Sequence, residues 1–266
     1  GWNLSRIIGP AFAGLLIAWL AGGDKTSTYG VGIVYVVIAS LYLFSALTVL
    51  KVDRPGKTQR NRDGDSWSDM REGLRYVLEH PPVFALIVLS ILPFLFGMPL
   101  NTLLPAFNQD VLQGHADDLG YLISAMGGGA IIGSLLMATM GDMRNKGFWL
   151  IVSCLGWGLV TAAFGAFDAQ GAALVLIAVI GLLSSWNMSL NRGMLQMQVE
   201  DHMRGRIMSI DMMSHGLMPL GVFPISLIAE YYGVGAALVT SGFALMAITL
   251  LVAIFLPSVR SIARTD

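Results

Sequence analysis

Charged residues divide this chain into eight long apolar windows, and that division limits the folds it can adopt. Between consecutive Asp, Glu, Lys and Arg residues, the windows are 7–23, 26–50, 80–109, 119–141, 147–167, 169–191, 212–229 and 231–259. A helix needs about 20 mostly apolar residues to cross a bilayer, and a continuous apolar run in lipid must satisfy its backbone hydrogen bonds internally. The windows therefore predict an all-α integral membrane protein with eight transmembrane helices.

The composition excludes several other classes of protein. Of the 266 residues, 12% are charged and 55% are hydrophobic, whereas a soluble domain carries about 25% charged residues. The chain has 16 Lys and Arg and 17 Asp and Glu, so its net charge is −1. This charge provides no basic field to attract nucleic acid. The single cysteine, Cys154, excludes an intrachain disulfide and a cysteine-based metal site. We expect no cofactor and no metal.

The distribution of cations predicts how the helices are oriented. Lys and Arg accumulate in short cytoplasmic loops, and starting with residue 1 inside places 14 of the 16 cations on the inner side. Lys25 falls in an outer loop, and Arg192 lies near the inner end of the sixth window. We therefore expect a multi-pass protein of the cell inner (plasma) membrane, with both ends of this chain in the cytoplasm.

Residues 51–82 form a long polar segment between the second and third windows. Its first half, 51–65, mixes proline, glycine and charges of both signs, which is typical of a flexible linker. In its second half, Ser66 and Asp69 form a capping-box pattern, followed by apolar residues at helical spacing, which are Trp67, Met70, Leu74, Val77 and Leu78. The pattern predicts an amphipathic helix over 66–80 on the inner membrane surface. It is either a plain surface helix on a connector or a coupling element between two bundles.

Small residues and prolines mark helices that pack closely or bend. A spacing of four places small residues on one helix face, which allows close packing in lipid; the sets are Ala125, Gly129 and Gly133, then Gly14, Ala18 and Gly22, then Gly233, Ala237 and Ser241. Prolines remove a backbone donor and permit kinks; they are Pro93, Pro99 and Pro105 in the third window, and Pro219 and Pro224 beside Gly221 in the seventh. We expect these two helices either to bend around a cavity or to have a static kinked shape.

Ionisable residues within the spans are functional candidates because a charge in lipid is costly. Arg192 lies about two helical turns from the inner end of its helix, Asp211 lies five residues after Arg206, and His215 follows one turn later. We predict an Arg192–Asp211 ion pair across adjacent helices, as a structural cytoplasmic gate or as part of a substrate site. Amide side chains that can line a cavity or bond between helices are Asn101, Asn187 and Asn191.

The short segment Gly141-Asp142-Met143-Arg144-Asn145-Lys146-Gly147 places one acid and two bases between glycines. The glycines permit a tight turn, and the acid can cap a helix start or pair with a cation of a neighbouring helix. This order is more specific than a polar loop requires. It predicts a cytoplasmic gate or loop motif formed by Gly141, Asp142, Arg144, Lys146 and Gly147.

This loop resembles the cytoplasmic loop motif of the major facilitator superfamily, which recurs between helices eight and nine of its twelve-helix fold. The segment Ser5-Arg6-x-x-Gly9-Pro10-x-x-x-Gly14 resembles the proline-glycine motif of that family's fifth helix, seen particularly in exporters. Trp67 to Pro81 and Arg204-Gly205-Arg206-Ile207-Met208-Ser209 resemble the central helix and the loop before helix eleven in the enterobactin-exporter-like (transmembrane secretion effector) branch. Together the segments span nearly the whole chain.

The resemblance implies that the eight windows are helices five to twelve. Residues 1–50 would then hold the last two helices of the N-terminal bundle, 51–82 the cytoplasmic linker, and 83–266 the C-terminal six-helix bundle with a short cytoplasmic tail. Helices one to four, which hold the proton-coupling carboxylates in many relatives, are then missing partners of this chain. We expect the chain to be a fragment that cannot complete alternating access alone.

The sequence therefore favours a secondary active transporter, a proton-driven exporter or antiporter of a small amphiphilic compound that is drug-like or siderophore-like. Its partners would be the lipid bilayer, the solute and protons, and the direction and the ion rest on the resemblance. A membrane-embedded enzyme would need a reactive group such as His-Glu-x-x-His or paired aspartates, but the four histidines are scattered in the sequence. A scaffold or channel would show a repeated pore-lining helix or a charged ring, and the sequence shows neither.

Overall fold

The computed structural model describes residues 28–50, 66–139 and 145–256, and within these ranges the chain forms helices and no strand. The helices are α1 (Thr28–Leu50), α2 (Ser66–Glu79), α3 (Pro81–Leu92), α4 (Pro99–Asp110), α5 (Ala116–Thr139), α6 (Lys146–Ala166), α7 (Gln170–Gln198), α8 (Asp201–Met213), α9 (Met218–Tyr232) and α10 (Val234–Phe255). The chain forms two compact units, 1–64 and 65–266. The fold is an all-α membrane bundle.

Helix α1 is the described part of the first unit. It coincides with the predicted window 26–50 and contains a shorter apolar stretch, Tyr35–Thr48. Its large apolar side chains, including Leu41 and Phe44, are exposed, which suits lipid rather than water. The predicted span over 7–23 lies outside the described residues.

In the described part of the second unit, six helical segments are long and apolar enough to cross a membrane. They are Pro81–Asp110, Asp117–Thr139, Lys146–Ala166, Gln170–Gln198, Asp201–Tyr232 and Val234–Phe255. Each overlaps one predicted window, so these six predicted spans are confirmed by length and composition. The amphipathic helix predicted over 66–80 is also present, as α2.

The predicted start of the seventh span was wrong. We expected a span over 212–229 with Arg204 and Arg206 in a loop before it, but the helical segment begins at Asp201 and contains both arginines. Charges end a hydropathy window, yet they do not end a helix when oppositely charged side chains lie close to them. Arg204 pairs with Asp201 at 2.8 Å, and Arg206 pairs with acids of α2.

The small-residue faces bring helix backbones into direct contact. A Cβ added at Gly129 would overlap the carbonyl oxygen of Ala178, and one added at Gly133 would overlap that of Leu182. From the other side, Gly181 faces the carbonyl oxygen of Met126 in the same way. The predicted packing role of Gly129 and Gly133 is therefore confirmed, and their partner is α7.

A second close contact joins α6 to α10. Gly158 faces Gly242, and Gly165 faces Gly235, each pair with one backbone against the other. The predicted set Gly233, Ala237 and Ser241 is correct for Ala237 and Ser241, which are fully buried. It was wrong for Gly233, which lies between α9 and α10 with φ of 90°, a conformation that glycine adopts without strain.

Two of the spans, Pro81–Asp110 and Asp201–Tyr232, leave α-helical geometry near the prolines that predicted bends, and we call them the broken spans. Pro93 begins the irregular segment of the first, whereas that of the second ends before Pro219, and Pro105 and Pro224 lie inside α4 and α9. In the first, Pro93–Gly97 is a π-helical segment between α3 and α4, where the Met98 N–H donates to the Pro93 carbonyl at 2.8 Å. In Asp201–Tyr232, the 3₁₀ segment Ser214–Leu217 separates α8 from α9. Such irregular turns often lie at functional sites, and the two broken spans contact each other where Gly221 faces the carbonyl oxygen of Leu95.

Candidate functional site

A cluster of polar side chains lies beside the crossing of the two broken spans. It consists of Ser90 on α3, Arg192 on α7, Asp211 on α8 and His215 in the 3₁₀ segment. Three different spans thus supply one cluster, which links both broken helices to α7. Arg192, Asp211 and His215 were predicted from the sequence, whereas Ser90 was not.

Asp211 is buried because it continues the inward face of α8. Met203, Ile207 and Asp211 follow one another at intervals of four, and all three are buried. The carboxylate is 2% exposed, and burial of an unpaired charge would be strongly unfavourable. Ser90 Oγ donates to Asp211 Oδ1 at 2.5 Å, so a neutral donor from α3 satisfies one oxygen.

The predicted proximity of Arg192 and Asp211 is present in the structure. Arg192 Nε lies 3.8 Å from Asp211 Oδ2, which is an ion-pair distance and longer than a hydrogen bond. The Arg192 side chain is 47% exposed. The pair therefore has one buried member and one that remains accessible, and its role as a gate or substrate site stays a prediction.

His215 orients the guanidinium of Arg192. Arg192 Nη2 lies 3.3 Å from His215 Nε2, and His215 Nδ1 lies 3.1 Å from the Met212 carbonyl oxygen. Since a carbonyl can only accept, His215 Nδ1 is the donor to Met212, and Nε2 is the nitrogen that faces the arginine. The ring also packs on Phe94 of the π-helical segment, with centroids 4.2 Å apart.

The predicted amides have separate roles. Asn187 donates to the Leu150 carbonyl and to Ser153 Oγ of α6, so it bonds between helices. Asn191 donates to the Leu86 carbonyl at 3.1 Å, while its buried Oδ1 has no partner among the described residues. Asn101 of α4 donates to the sulfur of Met98, the residue before that helix, and does not join the cluster. The structure thus brings Asn187 and Asn191, but not Asn101, to the site.

A small cavity lies beside Ser90 and Arg192 of this cluster. Its lining residues are Ser90, Pro93, Phe94, Asn187, Met188, Asn191 and Arg192. Apolar walls come from the π-helical segment and Met188, and the polar lining comes from α3 and α7. The volume of the cavity is about 10 Å³, which is room for one water-sized group.

A second site joins α2 to α8. Arg206 Nη2 lies 2.7 Å from Asp69 Oδ1, and Arg206 Nη1 lies 2.7 Å from Glu72 Oε1. A Cβ at Gly73 would lie 3.1 Å from Ile210 Cδ1, so the two helices approach closely. We call this contact the α2–α8 clamp. Its sequence signal was the i, i+3 spacing of Asp69 and Glu72 on one helix face, which does not identify the partner.

The apolar residues of α2 do not form one continuous face. Val77 and Gly73 are buried towards the bundle, while Trp67, Leu74 and Leu78 are exposed. Glu79 accepts a hydrogen bond from Arg75 Nε at 2.7 Å, and this bond raises the pKa of Arg75 above its ordinary value. One side of α2 thus packs on α8, and the other carries exposed apolar residues as an interfacial helix does.

Several predicted motif residues cannot be placed. Arg6, Gly9, Pro10 and Gly14 of the helix-five-type motif, and Gly141, Asp142 and Arg144 of the loop motif, lie outside the described residues. Lys146 and Gly147 are the first two residues of α6. Among the described residues, no group of three or more His, Cys, Asp or Glu side chains is placed to hold a metal ion.

Comparison with known proteins gives a family match over nearly the whole chain. A family model described as transmembrane secretion effector matches residues 1–265. The chain is similar to the staphyloferrin A transporter of Staphylococcus aureus, with 26% identity over 251 residues, which cover 93% of this chain and 60% of that protein.

Two other curated relatives have names that describe efflux. Macrolide efflux protein A of Streptococcus pyogenes is 22% identical over 268 residues, covering 99% of this chain and 63% of that protein. The multidrug efflux pump Tap of Mycolicibacterium fortuitum is 24% identical over 264 residues, covering 98% of this chain and 62% of that protein. The chain therefore spans about three fifths of the length of these relatives.

Proposed function

The chain belongs to the transmembrane secretion effector family of the major facilitator superfamily, and from that premise we propose that it forms part of a secondary active exporter. The exporter moves a small amphiphilic compound across the bacterial inner membrane by alternating access. Transport rather than catalysis agrees with the names of the relatives, which are transporters and efflux proteins.

The observation that carries this proposal is the crossing of two broken spans beside a buried charge. Transporters of several folds place their sites at interrupted helices near the middle of the membrane. Here the π-helical segment Pro93–Gly97 and the 3₁₀ segment Ser214–Leu217 meet, and the Ser90, Arg192, Asp211 and His215 cluster lies against them. A buried acid within a membrane span lowers stability, so its presence supports a functional role.

The family match supports a proposal for the organisation of the whole protein. We propose that 1–50 are the last two helices of an N-terminal bundle, 51–82 the cytoplasmic linker and 83–266 the C-terminal bundle, so that helices one to four come from elsewhere in the protein. Both ends of this chain are proposed to be cytoplasmic, on the basis of the cation distribution. Proton entry is the proposed driving force, with Asp211 as one acid that can take part.

Transport in inside-out vesicles tests the function. The full-length protein is expressed in a strain lacking its main efflux pumps, and uptake of a panel of amphiphilic dyes and antibiotics into the vesicles is followed with and without a proton gradient. We expect gradient-dependent accumulation of at least one compound, and its loss in Asp211→Asn. Asp168→Asn is the matched control, because Asp168 is exposed between α6 and α7.

Two results would contradict the proposal. The first is accumulation that is unchanged in Asp211→Asn. The second is failure of the whole panel to accumulate in vesicles in which the protein is correctly inserted.

A further inference from the structure

We propose that the small cavity beside Ser90 and Arg192 binds one water molecule, and that this water passes protons through Ser90 to Asp211. The proton step rests on the proposed export function, because it gives the route by which Asp211 gains and loses its proton. The water site itself rests on the size and the lining of the cavity, whether or not the protein is an exporter.

The size and the lining of the cavity suit water. Its volume is about 10 Å³, and a bound water needs roughly 10–15 Å³ of such space, so a solute is too large for it. Cavities that hold no water are lined by apolar groups. Four of the seven residues that line this cavity are polar, and they are Ser90, Asn187, Asn191 and Arg192.

Two amide oxygens are acceptors for this water. Asn191 Nδ2 donates to the Leu86 carbonyl at 3.1 Å, which fixes the orientation of the amide, and its buried Oδ1 has no partner among the described residues. Asn187 Nδ2 donates to the Leu150 carbonyl and to Ser153 Oγ, which leaves the amide oxygen as the atom not used in these bonds. Because an unsatisfied buried acceptor is unfavourable, a water that donates to Asn191 Oδ1 stabilises the packing of α3 on α7.

Ser90 and Arg192 complete the set of hydrogen-bonding groups. Ser90 Oγ donates its one hydrogen to Asp211 Oδ1, so its lone pairs can accept from the water. Arg192 has five N–H donors, and its contacts with Asp211 at 3.8 Å and His215 at 3.3 Å do not use all of them. A water that accepts from Arg192 and donates to Asn191 and Ser90 makes about three hydrogen bonds, which is typical of a buried water.

The same contacts form a route for a proton to a carboxylate that is 2% exposed. In the described part of the chain, the polar groups that contact Asp211 are Ser90 of α3 and Arg192 of α7, and His215 contacts the guanidinium. Arg192 is 47% exposed, so solvent reaches the side of the cavity that it lines.

The proton transfer is balanced at each step. A hydronium ion gives a proton to the bound water, the water gives a proton to Ser90 Oγ, and Ser90 gives its hydroxyl proton to Asp211 Oδ1. The net change converts a carboxylate and a hydronium ion into a carboxylic acid and a water molecule, with Ser90 and the bound water restored. The reverse sequence removes the proton from Asp211.

Radiolytic footprinting of the full-length protein in phosphatidylcholine nanodiscs tests the water site. X-ray pulses convert bound water into hydroxyl radicals, which oxidise the neighbouring side chains, and mass spectrometry locates the oxidised residues. Phe94 is 6% exposed and lines the cavity, so we expect its oxidation, whereas Phe164 is buried outside the cavity and should stay unmodified. Asn191→Leu replaces the amide by apolar groups and should lower Phe94 oxidation several-fold. Asn101→Leu, a half-buried residue outside the cavity, is the matched control and should leave it unchanged.

Two substitutions of Ser90 test the proton step. Ser90→Ala removes the hydroxyl between the water and Asp211, and Ser90→Thr retains one. Because a positioned proton-transfer group contributes about 100-fold or more, we expect Ser90→Ala to lower gradient-driven accumulation in inside-out vesicles roughly tenfold or more, and Ser90→Thr to keep most of it. Ser134→Ala is the matched control, since the half-buried Ser134 bonds only to the Ile131 carbonyl of its own helix.

A second measurement separates proton transfer from folding. Exchange of labelled for unlabelled compound in the absence of a gradient needs no net proton movement, so Ser90→Ala should keep the wild-type exchange rate. Thermal unfolding of each variant verifies that it is folded.

The water site is overturned if Phe94 is oxidised no more than Phe164, or if folded Asn191→Leu leaves the oxidation of Phe94 unchanged. The proton step is overturned if Ser90→Ala accumulates the compound as wild type does, or if its exchange falls as far as its driven accumulation. Oxidation of Phe94 in a wild-type protein that transports no compound would contradict the export function, and the proton step with it, while the water site stands.

Discussion

Gly221 of α9 packs directly against the carbonyl oxygen of Leu95 in the π-helical segment. No side chain separates the two broken spans at this point, so their relative position depends on the absence of a Cβ. The same crossing places Phe94 on the ring of His215. A substitution at Gly221 should therefore change the geometry of the polar cluster.

We predict that Gly221→Ala lowers the export rate, because the added Cβ must displace the backbone of Leu95. Overpacking of this kind costs about 1–3 kcal/mol, and we expect at least a fivefold decrease. Gly216→Ala is the control, since a Cβ at Gly216 meets nothing within 4 Å. Initial rates in vesicles, normalised to inserted protein, provide the measurement, and equal rates for the two variants would contradict this account.

The contact between α5 and α7 gives a stability prediction within one glycine run. Gly129→Ala should lower the Tm of the full-length protein in detergent, because its Cβ overlaps the Ala178 carbonyl and costs about 1–3 kcal/mol. Gly128→Ala, one residue away, meets nothing within 4 Å and should leave the Tm unchanged or raise it. Thermal unfolding of both variants gives their Tm values. A similar decrease in Tm for both would contradict the role of the contact with the Ala178 carbonyl.

The α2–α8 clamp gives a prediction about local opening. Arg206→Gln removes both ion pairs with Asp69 and Glu72, and since these groups are partly exposed, each pair contributes about 0.2–1 kcal/mol. We expect faster hydrogen–deuterium exchange of α2 amides with little change in global stability. Arg204→Gln loses only its contact with Asp201 in the same helix and should leave α2 protected. Unchanged exchange in Arg206→Gln would mean that Gly73 and Val77 hold α2 by packing alone.

The loop motif gives a prediction that rests on the sequence. Asp142→Asn or Arg144→Ala should lower transport by the full-length protein while membrane insertion stays intact, because the motif is expected to act as a cytoplasmic gate. A gate contact of this kind shifts a conformational equilibrium by about 1–3 kcal/mol, or roughly fivefold or more in rate. Efflux from vesicles and the amount of inserted protein are measured together, with Asp168→Asn as control. Unchanged efflux would contradict the predicted role of the loop motif as a gate.

The spans could be predicted from the sequence because lipid leaves an apolar run of about 20 residues few alternatives to a helix. Their ends were less predictable. Asp211 set the start of the predicted window 212–229, yet the helical segment begins at Asp201 and includes Arg204 and Arg206, whose acidic partners compensate their charges. Ion pairing across helices is a tertiary property, and a count of charges along the chain does not contain it.

The site was predictable in its charged members and not in its neutral ones. Arg192 and Asp211 stood out because charges are rare in the spans, and their proximity followed from the need for partners. Ser90 is 121 residues from Asp211 in sequence, yet it donates to that carboxylate. A serine in an apolar helix is common, so nothing in its own segment distinguishes it. Periodicity identifies the face of a helix but not the helix that covers it.

The glycine contacts between α5 and α7 also constrain how the chain is made. Gly181 follows Gly129 by 52 residues, which at about 5–20 residues/s is roughly 3–10 s of synthesis. During that interval α5 has left the ribosome, but α7, the helix that its glycines contact, has not yet been made. Because α6 lies between them in the chain, it is made before α7. Insertion of α5 and its pairing with α7 are therefore separate events, and the bare glycine face of a newly made α5 is the surface that a membrane chaperone would meet.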